Sequence, residues 1–410
     1  MRVLVVSHTY VTPWYRAKLQ LLGAYPDVEL HVLVPPSWRG LLGESRAAAA
    51  SDASYRLWVR PIWGRGHVRR YCFAPGVVPG LLRQLRPDLV YVEAEADSLV
   101  LWQFARHRRR FGYRLAFFGW ENLPRPGPRH AHPWPQWAMQ HLLHRLAAWT
   151  LRRVDAAVWG NTEGAGLLRE SYGLAREVPV LPQMGVDTAL YAPEDPLAAR
   201  RALGLPPAMP LIGYVGRLVR AKGIMTLLAA AEGWLQTGQA ALLLVGGGPL
   251  ESDIVEWVRE NRLSHAVHLL PAVPPQEIPR ILPALDVLVL PSESTPTWKE
   301  QFGRVLVEAM ACGVPVVGSN AGAIPEVIAD AGLVFSAGDA DALRDALGRL
   351  LSDAELRQQL IQRGRTRACT EYDQRVIAGR LHDILVGVLR EGEGAWGGRA
   401  VQRCRCIAAC

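Results

Sequence analysis

Cysteine is scarce in this chain: there are six in 410 residues, with Cys72, Cys312 and Cys369 far apart and Cys404, Cys406 and Cys410 crowded into the last seven positions. That spacing offers no framework of paired disulfides. The terminal three would suit zinc only with further ligands of matching spacing, which are missing, so 391–410 reads as a disordered tail. No apolar run is long enough to cross a bilayer, and Met1–Val6 reads as a strand followed by polar residues rather than as a leader. These absences predict a cytoplasmic protein, with any membrane attachment peripheral and at the inner face. Charged residues make up only 20% of the chain while 50% are apolar, which excludes a disordered protein and suits well-buried α/β domains. The length calls for two domains.

What is present centres on Pro291–Ile328. The apolar run Asp286–Leu290 is short and bounded by Pro291 and Ser292, as a buried strand is. A helix follows Glu300-Gln301-Phe302-Gly303, carries Glu308, and ends at Gly313 and Pro315, where a glycine and then a proline stop a helix. Val314–Val317 is again strand-like, and Asn320–Ala323 is a turn into another helix. This is a strand-helix-strand unit of a parallel sheet, whose ligands collect at the carboxyl ends of the strands. Two carboxylates able to accept hydrogen bonds from ligand hydroxyls thus flank a helix start, where the amides of Phe302 and Gly303 suit phosphate oxygens. On spacing alone, two solvated helix glutamates would account for the pattern equally well.

The longer stretch narrows this choice. Glu, seven residues and Glu, with Phe-Gly after the first and Ala309-Met310-Ala311-Cys312-Gly313-Val314-Pro315-Val316-Val317 after the second, resembles the retaining glycosyltransferases called group 1 or family 4. The resemblance implies the fold class GT-B: two doubly wound, Rossmann-like parallel-sheet domains facing a cleft. It also implies transfer of a sugar from a nucleotide-diphosphate sugar to a hydroxyl acceptor with retention of anomeric configuration. Glu300 would then act catalytically on sugar hydroxyls, and Glu308 would hold the ribose. Gly216-Arg217 and Lys222-Gly223, after the strand-like Pro210–Val215, match the family's diphosphate-binding pattern. A glycine that admits ligand to the backbone and two fixed cations suit a departing diphosphate. The donor site implied is Gly216, Arg217, Lys222, Val273, Phe302, Gly303, Val305 and Glu308, with Val273 marking where relatives read the base through the backbone. With cations and amides taking the leaving-group charge, no metal and no cofactor are expected. Gly246-Gly247-Gly248 lacks the remainder of a dinucleotide or phosphate-loop fingerprint and reads as a turn.

The first half departs from the family. Strand-like runs at Glu29–Val34, Leu89–Val92, Leu115–Phe118 and Asp155–Trp159 alternate with helical stretches, as a doubly wound sheet requires. The loop after the first strand, from His8 to Trp14, lacks the paired glycines of many relatives; Arg16 and Lys18 beyond it are placed to meet an anionic acceptor. The loop Gly119–Asn122 lacks the family's histidine, which Glu121 or Asn122 would replace. His8, Trp14, Trp120, Glu121 and Asn122 form the acceptor-side set. Pro124–Pro135, with His130 and His132, reads as a surface loop. Domain boundaries are expected at 1–190, completed by a helix over 371–390, and at 205–370, with Ala192–Pro210 between. Val376, Ile377, Leu381, Ile384, Leu385, Val388 and Leu389 give the last helix one apolar face.

Charge separates the two halves. Residues 1–190 carry 24 Lys and Arg against 14 Asp and Glu, together with ten of the fourteen tryptophans. A basic, tryptophan-rich first domain favours a lipid-linked or polysaccharide acceptor and an anionic membrane surface as partner. No nucleic-acid motif accompanies the charge, so nucleic acid is not an expected partner. Two other functions fit the same donor site: a sugar-nucleotide epimerase or hydrolase without acceptor, and a non-catalytic sugar-nucleotide-binding protein.

Overall fold

A computed structural model describes residues 1–40, 43–48, 53–64, 66–124, 134–173, 177–207 and 209–390. The chain divides into two units, 1–184 with 374 onward, and 185–373. The histidine-rich loop with His130 and His132, and the cysteine-bearing tail, lie outside the described residues.

In the first unit six parallel strands lie in the order Ala156–Trp159, Arg114–Gly119, Leu89–Glu93, Arg2–Val6, Glu29–Val34, Arg56–Val59. Side chains alternate across such strands. Leu4, Val6, Val90, Val92 and Phe117 therefore build a core on one face, while Val3, Val5, Val32, Tyr91 and Phe118 build a second on the other. Covering both faces is why these strands read as unbroken apolar runs. The second core is closed by Leu19 and Leu22 of the helix Ala17–Gly23 and by Ile377, Leu381, Leu385 and Val388 of Gln374–Arg390. Helical spacing puts those four on one stripe, so the last helix packs within this unit. Beside it, Tyr25 stacks on His382 at 4.1 Å, and His382 reaches Asp27 at 3.0 Å.

The second unit repeats the plan with Val267–Leu270, Ala241–Val245, Leu211–Val215, Val287–Leu290, Val316–Ser319, Gly332–Phe335, again all parallel. The expected boundary stretch Ala192–Pro210 lies inside this unit. Its helix Pro196–Ala202 is capped by Asp195, and Arg200, 4% exposed, donates to Ala284 O and to Asp286 Oδ2. A buried guanidinium satisfied by two neighbouring segments cannot belong to a loose linker.

In each sheet the strand order reverses once: between Arg2–Val6 and Leu89–Glu93 in the first unit, and between Leu211–Val215 and Val287–Leu290 in the second. Loops on either side of such a switch part and leave a crevice at the carboxyl edge.

Candidate functional site

At the switch point of the second unit two of the sequence candidates, Lys222 and Glu300, meet. After Leu211–Val215 the chain passes Gly216 and Arg217 into the 3₁₀ turn Arg220–Lys222; after Val287–Leu290 it runs through an irregular loop to Glu300. Lys222 Nζ lies 2.5 Å from Glu300 Oε2, the same oxygen that accepts from Ser292 Oγ at 2.8 Å. Trp298 lies under the ammonium, its ring centroid 4.9 Å away. Glu300 is 8% exposed, and its carbonyl is tied to the next loop by the Ala323 amide at 3.0 Å. Arg217 makes no ion pair among the described residues, while its carbonyl accepts from Tyr214 Oη at 2.7 Å. The arrangement is one cation engaged by a carboxylate and another without an ion pair among the described residues.

Glycines set these distances. A Cβ on Gly223, at φ +65°, would stand 1.9 Å from Pro291 O; one on Gly322, at φ +55°, would stand 2.1 Å from Glu300 O. Gly246 belongs to the same lacing, since a Cβ there would meet Gly216 O at 1.8 Å. The Gly246–Gly248 triplet is thus a turn whose glycines let the loops of adjacent strands cross.

Gly303 caps the following helix at φ +76°, and the helix begins at Arg304, directly after Glu300-Gln301-Phe302-Gly303 as expected. Phe302 packs against Tyr372 at 5.6 Å, and Val305 is half-buried against the core. Val273 is half-buried in the loop after Val267–Leu270. Glu308 is buried, paired with Arg304 at 2.8 Å and accepting from Tyr191 Oη at 3.2 Å. Burial raises its pKa, and Arg304 and Tyr191 hold that rise back. Ser292, Trp298, Arg304 and Tyr191 were not singled out from sequence. The sequence reading also overlooked an Asp-x-Asp triplet, Asp339-Ala340-Asp341; Asp339 caps the helix Ala340–Ser352, and Asp341 pairs with Arg344.

The first unit corrects several expectations. Arg16 and Lys18 are buried and spent internally: Arg16 donates to Tyr10 O and Val11 O, and Lys18 pairs with the fully buried Glu93 at 2.7 Å. Neither is open to an anionic acceptor. Asn122, also fully buried, lies 3.4 Å from Glu163. His8 sits among Trp38, Tyr71 and Trp120, with ring centroids at 4.3, 5.6 and 6.4 Å. Its Nδ1 is buried without a partner, and burial lowers its pKa to about 4, so it is neutral at physiological pH. Trp14 is half-buried in the 3₁₀ turn Pro13–Arg16. Glu121 is paired with Arg69. What sequence reading missed is the acidic run Glu93-Ala94-Glu95-Ala96-Asp97, whose carboxylates at alternate positions just beyond an apolar strand were the available signal.

Comparison with known proteins follows the same division. Residues 197–367 match the family described as glycosyl transferases group 1. A D-inositol 3-phosphate glycosyltransferase of Nocardia farcinica is 34% identical over 216 residues, 50% of this chain and 47% of its own length. A 2-deoxystreptamine N-acetyl-D-glucosaminyltransferase of Streptomyces fradiae is 30% identical over 292 residues, 68% of this chain and 66% of its own. The chain thus spans about half the length of the first relative and about two thirds of the second. Among solved structures, sucrose-phosphate synthase from Thermosynechococcus elongatus superposes with a TM-score of 0.73 at 21% identity, covering 95% of this chain and 99% of that one. HepE of Anabaena in complex with UDP gives 0.70 at 20%, covering 94% and 100%. At these identities the structures speak for the fold.

Proposed function

Since the chain belongs, through residues 197–367, to the group 1 glycosyl transferases, we propose that it moves a hexosyl group from a nucleoside-diphosphate sugar to an acceptor hydroxyl with retention at the anomeric carbon. The observation that carries the reading is the pairing of Lys222 with Glu300 across the sheet's switch point, beside an Arg217 with no ion pair among the described residues. In the step, the bond from the anomeric carbon to the diphosphate oxygen breaks and one to the acceptor oxygen forms on the same face. The acceptor's proton passes to the departing diphosphate. Arg217, Lys222 and the amides opening the helix at Arg304 stabilise the charge that develops there, as prepositioned donors do. Glu300 accepts from sugar hydroxyls and Glu308 from the ribose. These cations supply what a divalent metal otherwise would, so turnover is expected to survive EDTA.

The acceptor is open between two chemistries. The basic first half favours a lipid-linked or polysaccharide precursor at an anionic surface; the relatives' names, with inositol 3-phosphate and 2-deoxystreptamine in them, favour a small polyhydroxy compound. The HepE structures with UDP and UDP-glucose make UDP-sugars the first donors to test. Calorimetric titration of the full chain with UDP-, GDP- and ADP-sugars, beside Arg217→Ala and Glu308→Ala, tests the donor reading. One donor should bind and lose at least about ten-fold in affinity in both variants, as removal of a charge-assisted contact predicts. A folded chain that binds none of them would overturn it.

A further inference from the structure

In the first unit the helices Leu99–Phe111 and Trp134–Leu151 pack side by side, with Phe104 and Ala147 turned into the same core. What they leave outside differs from an ordinary solvated surface. Trp134, Leu142 and Met139 are 65%, 61% and 42% exposed. Trp134, Leu142, Arg145 and Trp149 recur at helical spacing and share the stripe opposite Ala147. Six arginines of this region, Arg106, Arg109, Arg110, Arg145, Arg152 and Arg153, make no ion pair among the described residues, and all but Arg153 are exposed. Neither helix contains an Asp or a Glu. Arg153 stacks on the Trp149 ring at 3.6 Å, and Arg106 on that of Trp102 at 4.9 Å. Burial, and then Arg109 and Arg152, lower the pKa of Arg153, as cations gathered without a counter-charge do.

Like charges gathered on a folded surface repel, and large apolar side chains left in water forgo burial. One kind of partner relieves both: a layer of anions over hydrocarbon. At an anionic bilayer arginines meet the phosphates, while tryptophan, leucine and methionine enter the boundary with the acyl chains. Other occupants bring the wrong charge or no apolar layer. Residues 125–133, ahead of the second helix, include Arg125 and Arg129 and no acid; residues 391–410 have three arginines against two glutamates. The same face of a second copy is as basic as this one. A nucleic-acid duplex has the charge but offers nothing to Trp134 and Leu142. We propose that the first unit docks on anionic phospholipid bilayers through the outer face of these two helices. The proposal goes beyond the glycosyl-transfer reading and uses none of its donor residues; it gives the basic excess of residues 1–190 a place on the molecule.

The test is co-sedimentation of the full chain with vesicles of phosphatidylcholine alone and of equal parts phosphatidylcholine and phosphatidylglycerol. Binding should be confined to the anionic vesicles and weaken as salt is raised. Arg109→Gln, Arg145→Gln and Arg152→Gln combined should lower it at least about ten-fold. Arg201→Gln, Arg259→Gln and Arg349→Gln remove the same charge from exposed positions of the second unit and should leave binding within about two-fold. Trp134→Gln with Leu142→Gln should lower it at least about three-fold at fixed salt. Each variant changes exposed side chains alone and should keep the wild-type melting temperature. Equal binding to both vesicles, or equal losses in the two arginine sets, would overturn the proposal. So would apolar variants that bind as wild type, since the face would then be a general polyanion site, which duplex DNA would also occupy. Binding to neither vesicle overturns it too, whether or not the chain pairs with itself. Donor titration plays no part in these readouts, so either reading can fail without the other.

Discussion

Lys222 and Glu300 are each nearly buried, with side chains 13% and 10% exposed, and each compensates the other's charge. Removing one partner of such a pair is more costly than removing both. Lys222→Ala is therefore expected to lower donor affinity at least about ten-fold and to destabilise the second unit by about 1–3 kcal/mol. Adding Glu300→Gln should restore most of the stability and none of the affinity, a coupling that urea unfolding and calorimetry together resolve. Glu95 gives a residue-scale prediction of another kind. Burial, with Glu121 and Asp97 adding to it against Arg69, raises its pKa to about 7. A carboxyl raised in the folded state contributes stability that is complete below its unfolded value near 4.5 and lost as pH rises through 7. The stability of wild type relative to Glu95→Gln should thus fall by about 1–3 kcal/mol between pH 5 and pH 8. A flat difference would mean that the carboxyl is not buried as described. Glu300 was legible because it stands in an ordered run of matching residues. Glu95 was not, since burial beside two other carboxylates is a relation across the fold.

At the scale of elements, twelve strands and their loops place these groups, and glycine decides how closely the loops approach. Gly223→Ala puts a methyl carbon against Pro291 O in a left-handed backbone conformation, and both effects act on the turn that carries Lys222. A loss of more than about 2 kcal/mol and of donor binding is expected. Gly338, at φ +79° with nothing within 4 Å of the added carbon, is the control; its alanine variant should cost only about 1 kcal/mol and leave binding unchanged. Denaturant midpoints of the two variants test this contrast. Strands were the legible elements where they ran apolar and ended at Gly, Pro or Ser: Glu29–Val34 lies where the pattern puts it, and Val287–Leu290 within one residue of the run expected over Asp286–Leu290. Val316–Ser319 begins two residues later than the apolar run from Val314, because Val314 and Pro315 close the helix end before the strand pairs. The edge strand Arg56–Val59 and the π-helical turn Ala368–Tyr372 left no pattern long enough to read.

At the scale of the whole chain, the last helix belongs to the first unit. Leu385→Asp, which buries a charge under the sheet face of Val3 and Val5, should destabilise that unit by more than about 3 kcal/mol. Nucleotide binding by residues 185–373 should persist, as separate unfolding transitions and a retained titration would record; joint loss of both would show that the units do not unfold independently. Apolar period and punctuation, both local, were sufficient in the sequence for two doubly wound sheets and the helix face of Ile377, Leu381, Leu385 and Val388, whereas the donor-side reading of Gly216, Arg217, Lys222, Glu300 and Glu308 came from the resemblance of their motifs to the group 1 glycosyltransferases. Each of these is written within one turn or one strand, or in the order of motif residues along the chain. Only the tertiary structure decided that Arg16 and Lys18 are spent on internal partners, that Asn122 is buried, and that Arg69 meets three carboxylates at one pocket. Those outcomes depend on which residues far apart in sequence desolvate one another, and a charge carries no mark in the sequence of whether it will be solvated, paired or left for a ligand.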